Sequence, residues 1–115
     1  MKRDYALYLK DILNCIAKIE EFIKDMDFEE FVRNDMVSSA VVRKLEVIGE
    51  ATKNIPESIR KKDKEIPWKD MARMRDKLIH FYFGIDYEIV WKTVKGQLPK
   101  IKPLIEKALI REMLK

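Results

Sequence analysis

An arginine, a histidine and a tyrosine stand close together in MRDKLIHFYFG, residues 74–84. His80 is the single histidine of the chain; Arg75 lies five positions before it and Tyr82 two after. An imidazole exchanges protons near neutral pH. A guanidinium offers a planar fork of N–H donors that fits a phosphate or a carboxylate. Together they could grip a phosphodiester and move a proton at it, while Phe81 and Tyr82 supply surfaces on which bases stack. Each residue also has an ordinary explanation. His80 could be a solvated side chain, and Arg75 could be ion-paired with Glu46 or Glu50.

On one helical wheel over residues 67–83, Lys69, Arg73, Asp76, Lys77 and His80 share an arc. Met71, Ala72, Met74, Leu78, Ile79 and Phe81 cover most of the remainder. Arg75 falls in the middle of the apolar arc, where a charge requires a carboxylate, a bound anion or a second subunit. Asp76, four residues before His80, is in reach to orient one ring nitrogen. Arg75 and His80 are roughly 140° apart on an ideal helix. Meeting at one phosphate then calls for Arg75's long reach, unwinding before Gly84, or a partner subunit. One histidine, one cysteine and scattered carboxylates make no closed metal site. There is no glycine-rich phosphate loop and no serine–histidine–acid set. The chemistry expected is acid–base and electrostatic, with no metal and no cofactor.

The elements that must position these residues are helical, since apolar residues recur at helical spacing throughout. Tyr5, Leu9, Ile12, Ile16, Ile19 and Ile23 stripe a long first helix reaching about Asp25. DFEE (27–30) has the form of a capping box opening a short helix. Asn34 or Asp35 can cap the next, with Val41, Leu45, Ile48 and Thr52 on one face. Pro56 and RKKDKE (60–65) make a solvated connection, with room for one helical turn. PWKD (67–70) restarts a helix expected to run to Gly84. Asp86 caps the last stretch, striped by Tyr87, Val90, Val94, Leu98, Ile101, Ile105 and Leu109. Pro99 and Pro103 should kink or split it. The fold expected is all-α, an up-and-down four-helix bundle with a short extra helix.

At 115 residues and 47% hydrophobic content, residues 1–115 form one domain with enough apolar material for a core. The lone Cys15 excludes an intramolecular disulfide and suits a reducing compartment. Lys10 and Asp11 interrupt the first apolar pattern, against a signal peptide, and no run approaches membrane-spanning length. A cytoplasmic protein without membrane attachment is expected. Charge is uneven: residues 1–35 carry 6 basic and 9 acidic side chains, residues 67–115 carry 11 and 6. A polyanion would be drawn to the C-terminal part, although a solvated surface on a helical protein would also account for the charge.

RDKLIHFY (75–82) resembles the R-x(4)-H-x-Y signature of HEPN-domain ribonucleases, specifically the HepT type. VVRKLEVIGEATKNIP (41–56) is similar to the second helix of that family, and IPWKDMARMRDKLIHFYFGIDYEIVW (66–91) to its active-site stretch. The resemblance implies a HEPN-like bundle that forms a homodimer with a shared basic cleft. It implies a metal-independent endoribonuclease toxin cleaving an mRNA or tRNA through attack of the ribose 2′-OH. It also implies a cognate MntA-like nucleotidyltransferase antitoxin that adenylylates Tyr82. On this reading Arg75 and His80 are catalytic, Asp76 supports them, and Lys69, Arg73 and Lys77 contact RNA phosphates. Two positions depart from the family pattern. Asp76 stands where asparagine is frequent, and Phe81 where glycine is frequent. The rival expectation is a non-catalytic helical subunit that binds a nucleotide or docks a nucleotidyltransferase.

Overall fold

The computed structural model describes residues 4–80 and 84–114, with Ile79 and His80 given by their backbone alone. The chain folds into an all-α bundle. Helix α1 (Tyr5–Phe22) starts at Asp4, whose carboxylate accepts from the Ala6 amide at 3.0 Å. It stops one turn short of Asp25, because Ile23 already has non-helical backbone at φ −98° and ψ 6°. Helix α2 (Phe28–Arg33) opens on the anticipated capping box, the Asp27 carboxylate accepting from the Glu30 amide at 2.8 Å and the Glu30 carboxylate from the Asp27 amide at 3.1 Å. Asn34 caps α3 (Asp35–Lys53) by accepting from the Val37 amide at 3.0 Å. A single turn, α4 (Glu57–Arg60), follows Pro56.

The stripes are the core. Leu9, Ile12, Ile16 and Ile19 of α1 and Val41, Leu45 and Ile48 of α3 are all buried. Helix α8 (Leu98–Met113) adds Leu98, Ile101 and Ile105 to the same cluster. Burying a side chain of this size is worth about 1.5–3 kcal/mol, so this shared interior holds the long helices together. Lys102, near the start of α8, reaches Glu20, near the end of α1, at 2.8 Å. Phe31 of α2, buried in the same cluster, lies against Trp91, ring centroids 5.1 Å apart.

Residues 67–80 depart from the single helix expected to run to Gly84. Helix α5 (Trp68–Ala72) ends at Arg73, and α6 (Met74–Leu78) is only five residues long. The chain then leaves the helix: β1 (Ile79–His80) pairs antiparallel with β2 (Gly84–Ile85), His80 opposite Gly84. Gly84 takes φ +75°, a conformation glycine adopts at no steric cost. The Asp86 amide donates to the Leu78 carbonyl at 3.0 Å, closing the ladder against the end of α6.

Asp86 caps α7 (Tyr87–Lys92) by accepting from the Ile89 amide at 3.2 Å. The kink or split expected at Pro99 and Pro103 does not end the helix at either proline; the change of helical type comes earlier. Thr93–Gln97 is a π-helical turn joining α7 to α8, and Pro99 sits in the first turn of α8. Pro103 lies within α8 without ending it.

Candidate functional site

The break at Arg73 alters the surroundings of Arg75. A wheel drawn through a continuous helix buries this side chain, yet it is 67% exposed, its Nε 3.3 Å from Oε2 of Glu46 on α3. Of the carboxylates considered for it, Glu46 is the one it meets. The two Nη groups have no protein partner among the described residues. The guanidinium thus lies beside one carboxylate while most of the side chain faces solvent. This is the disposition in which a fork of donors can receive an anion.

His80 lies in the two-residue ladder directly after α6. The helical spacing that would stack Asp76 one turn beneath it therefore does not apply. Asp76 is exposed and makes no side-chain hydrogen bond or ion pair among the described residues. Phe81 and Tyr82 fall outside the described residues, as does the side chain of His80. Backbone geometry therefore brings His80 and Arg75 to one short segment: the last helical turn and the strand that follows.

Lys69, Arg73 and Lys77 are all exposed, as the polar arc implied. Lys77 reaches the Asp70 carboxylate at 3.4 Å, so part of its charge is balanced. Between α6 and α7 lies a slot of about 240 Å³ floored by Met71, Met74 and Ile89, with Lys77, Lys92 and Gln97 also lining it. Lys69 opens onto a broader basin of about 560 Å³ on the side of α4.

Underneath, α3 approaches the motif segment closely at Gly49. A Cβ there would stand 3.4 Å from the Met71 carbonyl oxygen. A second support was not visible in the sequence. Asp63, with only 8% of its side chain exposed, accepts from Arg111 Nη1 of α8 at 2.6 Å. Its backbone carbonyl accepts from the Trp68 indole N–H at 3.0 Å. One buried aspartate thus ties the end of α8 to the first residue of α5. Burial opposes the Arg111 charge, but hydrogen bonds to Asp63 and Glu112 outweigh it and keep the guanidinium protonated. Nothing in the local composition of RKKDKE marked Asp63 out; its partner lies 48 residues away.

Among the described residues, no group of three or more histidine, cysteine, aspartate or glutamate side chains is placed to hold a metal. No helix among them is long and apolar enough to cross a membrane.

A helical bundle that presents an arginine–histidine segment on a cation-bearing face is the class of protein defined by these elements. Residues 12–108 match the family described as Ribonuclease HepT-like. The chain is 51% identical over 107 residues to "Probable ribonuclease HepT" of Thermococcus cleftensis, covering 93% of this chain and 97% of the relative. It is 54% identical over 108 residues to a "Putative RNase" of Methanocaldococcus jannaschii, covering 94% of this chain and 93% of that protein. No solved structure gave a significant match. The chain belongs to the ribonuclease HepT-like family.

Proposed function

We propose that this protein is a HepT-type endoribonuclease toxin that cuts RNA without a metal ion. In this reaction the ribose 2′-OH gives up its proton and its oxygen attacks the adjacent phosphorus. The P–O5′ bond breaks, and O5′ takes a proton as it leaves. The products are a 2′,3′-cyclic phosphate and a 5′-OH. His80 is the proton-transfer group, an imidazole being the side chain that exchanges protons near neutral pH. One imidazole cannot readily be base and acid in the same step, and two copies across a homodimer axis divide the roles. Arg75 holds the scissile phosphate and stabilises the charge that develops on it. Lys69, Arg73 and Lys77 attract the backbone without regard to sequence, while Asp76, no longer stacked beneath His80, is left as an exposed acid next to Arg75 in the chain.

The observation that carries this reading is the Arg75 guanidinium, its Nε 3.3 Å from Glu46 and two thirds of its side chain in solvent. A purely structural ion pair would more commonly engage the fork itself. The names of the relatives, ribonuclease HepT and RNase, agree with RNA as the substrate. A cognate MntA-like nucleotidyltransferase silences the toxin by adenylylating Tyr82. The added nucleotide places a bulky anion where RNA phosphate would bind.

The test is to incubate the purified protein with RNA and to identify the ends it makes. A 2′,3′-cyclic phosphate with a 5′-OH supports the mechanism. A 5′-phosphate product overturns it. A folded dimer that binds RNA or the nucleotidyltransferase and cuts nothing points to the non-catalytic docking module instead.

A further inference from the structure

Arg60, Lys61 and Lys64 of the run RKKDKE line a basin that meets the proposed RNA contacts only at Lys69. Arg60 turns back onto the C-terminal end of α3. Its Nε donates to the Ile55 carbonyl at 2.9 Å and its Nη2 to the Thr52 carbonyl at 2.8 Å. Those carbonyls lie at the negative end of a helix, so the guanidinium is anchored by backbone oxygens and not by a carboxylate. Among the described residues Nη1 has no partner. Arg60 lines the basin of about 560 Å³ together with Lys61, Lys64 and Lys69. None of these four cations makes an ion pair among the described residues. Of the two acids lining it, Glu57 and Asp70, the latter already faces Lys77 at 3.4 Å.

A pre-oriented guanidinium beside three unpaired ammonium groups is a receiver for phosphate oxygens. Lys69 connects it to the motif. It stands six positions before Arg75, so no more than about 20 Å of chain separates them, a distance that a few nucleotides span. We propose that this basin is a second phosphate-binding site for the RNA strand whose scissile linkage lies at Arg75 and His80. The proposal rests on the ribonuclease reading and adds to it. RNA is favoured over an acidic protein surface because the anchored Arg60 fork suits phosphate geometry, while Lys61, Lys64 and Lys69 are free to follow a flexible backbone.

The experiment uses the full chain and Lys61→Ala/Lys64→Ala, both positions being exposed and without side-chain partners. Binding of a 20-nucleotide 2′-O-methyl RNA, which cannot be cut, is followed by anisotropy across a salt series. Each lost phosphate contact on a single strand lowers the slope of log K against log salt by about 0.7. The double variant should therefore show a slope less steep by about 1.4. It should also cleave a 20-nucleotide RNA with kcat/KM reduced about tenfold, while cutting a trinucleotide as wild type does. If wild type binds and cuts RNA and the variant keeps the wild-type slope, the basin proposal falls and the ribonuclease reading stands. If wild type neither binds nor cuts any RNA, both fall. A variant with unchanged RNA behaviour that no longer holds the nucleotidyltransferase would assign the basin to protein docking and overturn the proposal.

Discussion

The Nε of Arg75 and a carboxylate oxygen of Glu46 lie 3.3 Å apart, with two thirds of the arginine side chain still in solvent. Glu46 is the more covered partner, at 24% exposed, but with the arginine largely in solvent the pair is worth little, about 0.2–1 kcal/mol. Glu46→Gln should therefore leave thermal stability nearly unchanged. Its effect should fall on the chemistry, because the guanidinium loses its steadying contact. Cleavage is expected to slow severalfold, well short of the loss in Arg75→Ala. Calorimetry and a cleavage assay on the same preparations check both halves; a Glu46→Gln protein that unfolds would show that the pair is structural first.

Within the motif, His80→Ala should lower the cleavage rate by about 10²–10⁴ while RNA is still bound, the usual consequence of removing a proton-transfer group. Tyr82→Phe should keep cleavage and lose modification by the nucleotidyltransferase. Wild-type cleavage should persist in excess EDTA. A folded His80→Ala protein that cuts at the wild-type rate would end the assignment.

Asp63 takes a hydrogen bond from Arg111 at the far end of α8 and another, at its carbonyl, from Trp68 at the start of α5. Arg111→Met keeps the length of the stem but leaves the Asp63 carboxylate buried without its cation. Loss of a hydrogen bond to a charged group costs about 1.5–3 kcal/mol. Asp63→Asn retains an acceptor and should cost less. Denaturant midpoints of the two variants measure the order, and equal losses would show that charge is not what matters there.

The thiol of Cys15 is 5% exposed. Burial pushes its pKa above the ordinary 9.0, with Asp11 adding to the effect and Lys44 and Arg43 opposing it. A group whose folded pKa is raised contributes stability that is complete below the unfolded value and is lost as pH rises. Unfolding free energy should thus decline above about pH 9 in wild type, and this thiol's share of the decline should vanish in Cys15→Ala. At pH 8 a thiol reagent should label the native protein far more slowly than the denatured one.

The long helices were legible in the sequence because their evidence is redundant. Ile12, Ile16 and Ile19, or Leu45 and Ile48, each repeat the same face, and Asp27, Asn34 and Asp86 mark starts with side chains that can cap. The motif segment was not legible to the same degree. A wheel assumes one uninterrupted helix, and the break at Arg73 resets the angular phase of all that follows. Arg75, misplaced among apolar residues by that assumption, was the visible symptom. Nothing in the spacing of Leu78 and Ile79 ends the helix between them, and the deciding contacts, His80 with Gly84 and Asp86 with Leu78, are tertiary. Asp63 was hidden for a related reason: in a run of charges, nothing local distinguishes the one that a distant arginine will bury.

The π-helical turn at Thr93–Gln97 changes what the chain can tolerate by way of length. A loop of i→i+5 bonds accommodates one residue more than the i→i+4 pattern on either side of it. Removing a residue from that turn would return it to ordinary α-helix and keep Val90 and Ile101 turned toward the interior. Gly96 is the natural place, since it is exposed and has no neighbouring atom within 4 Å of where a Cβ would stand. A protein lacking Gly96 should fold with nearly wild-type stability. Deletion of Ile105, inside a regular helix, would rotate every later side chain by about 100° and should not be tolerated. Relatives that differ in length by one residue along this helix would then differ here, at a point where the fold has a residue to spare.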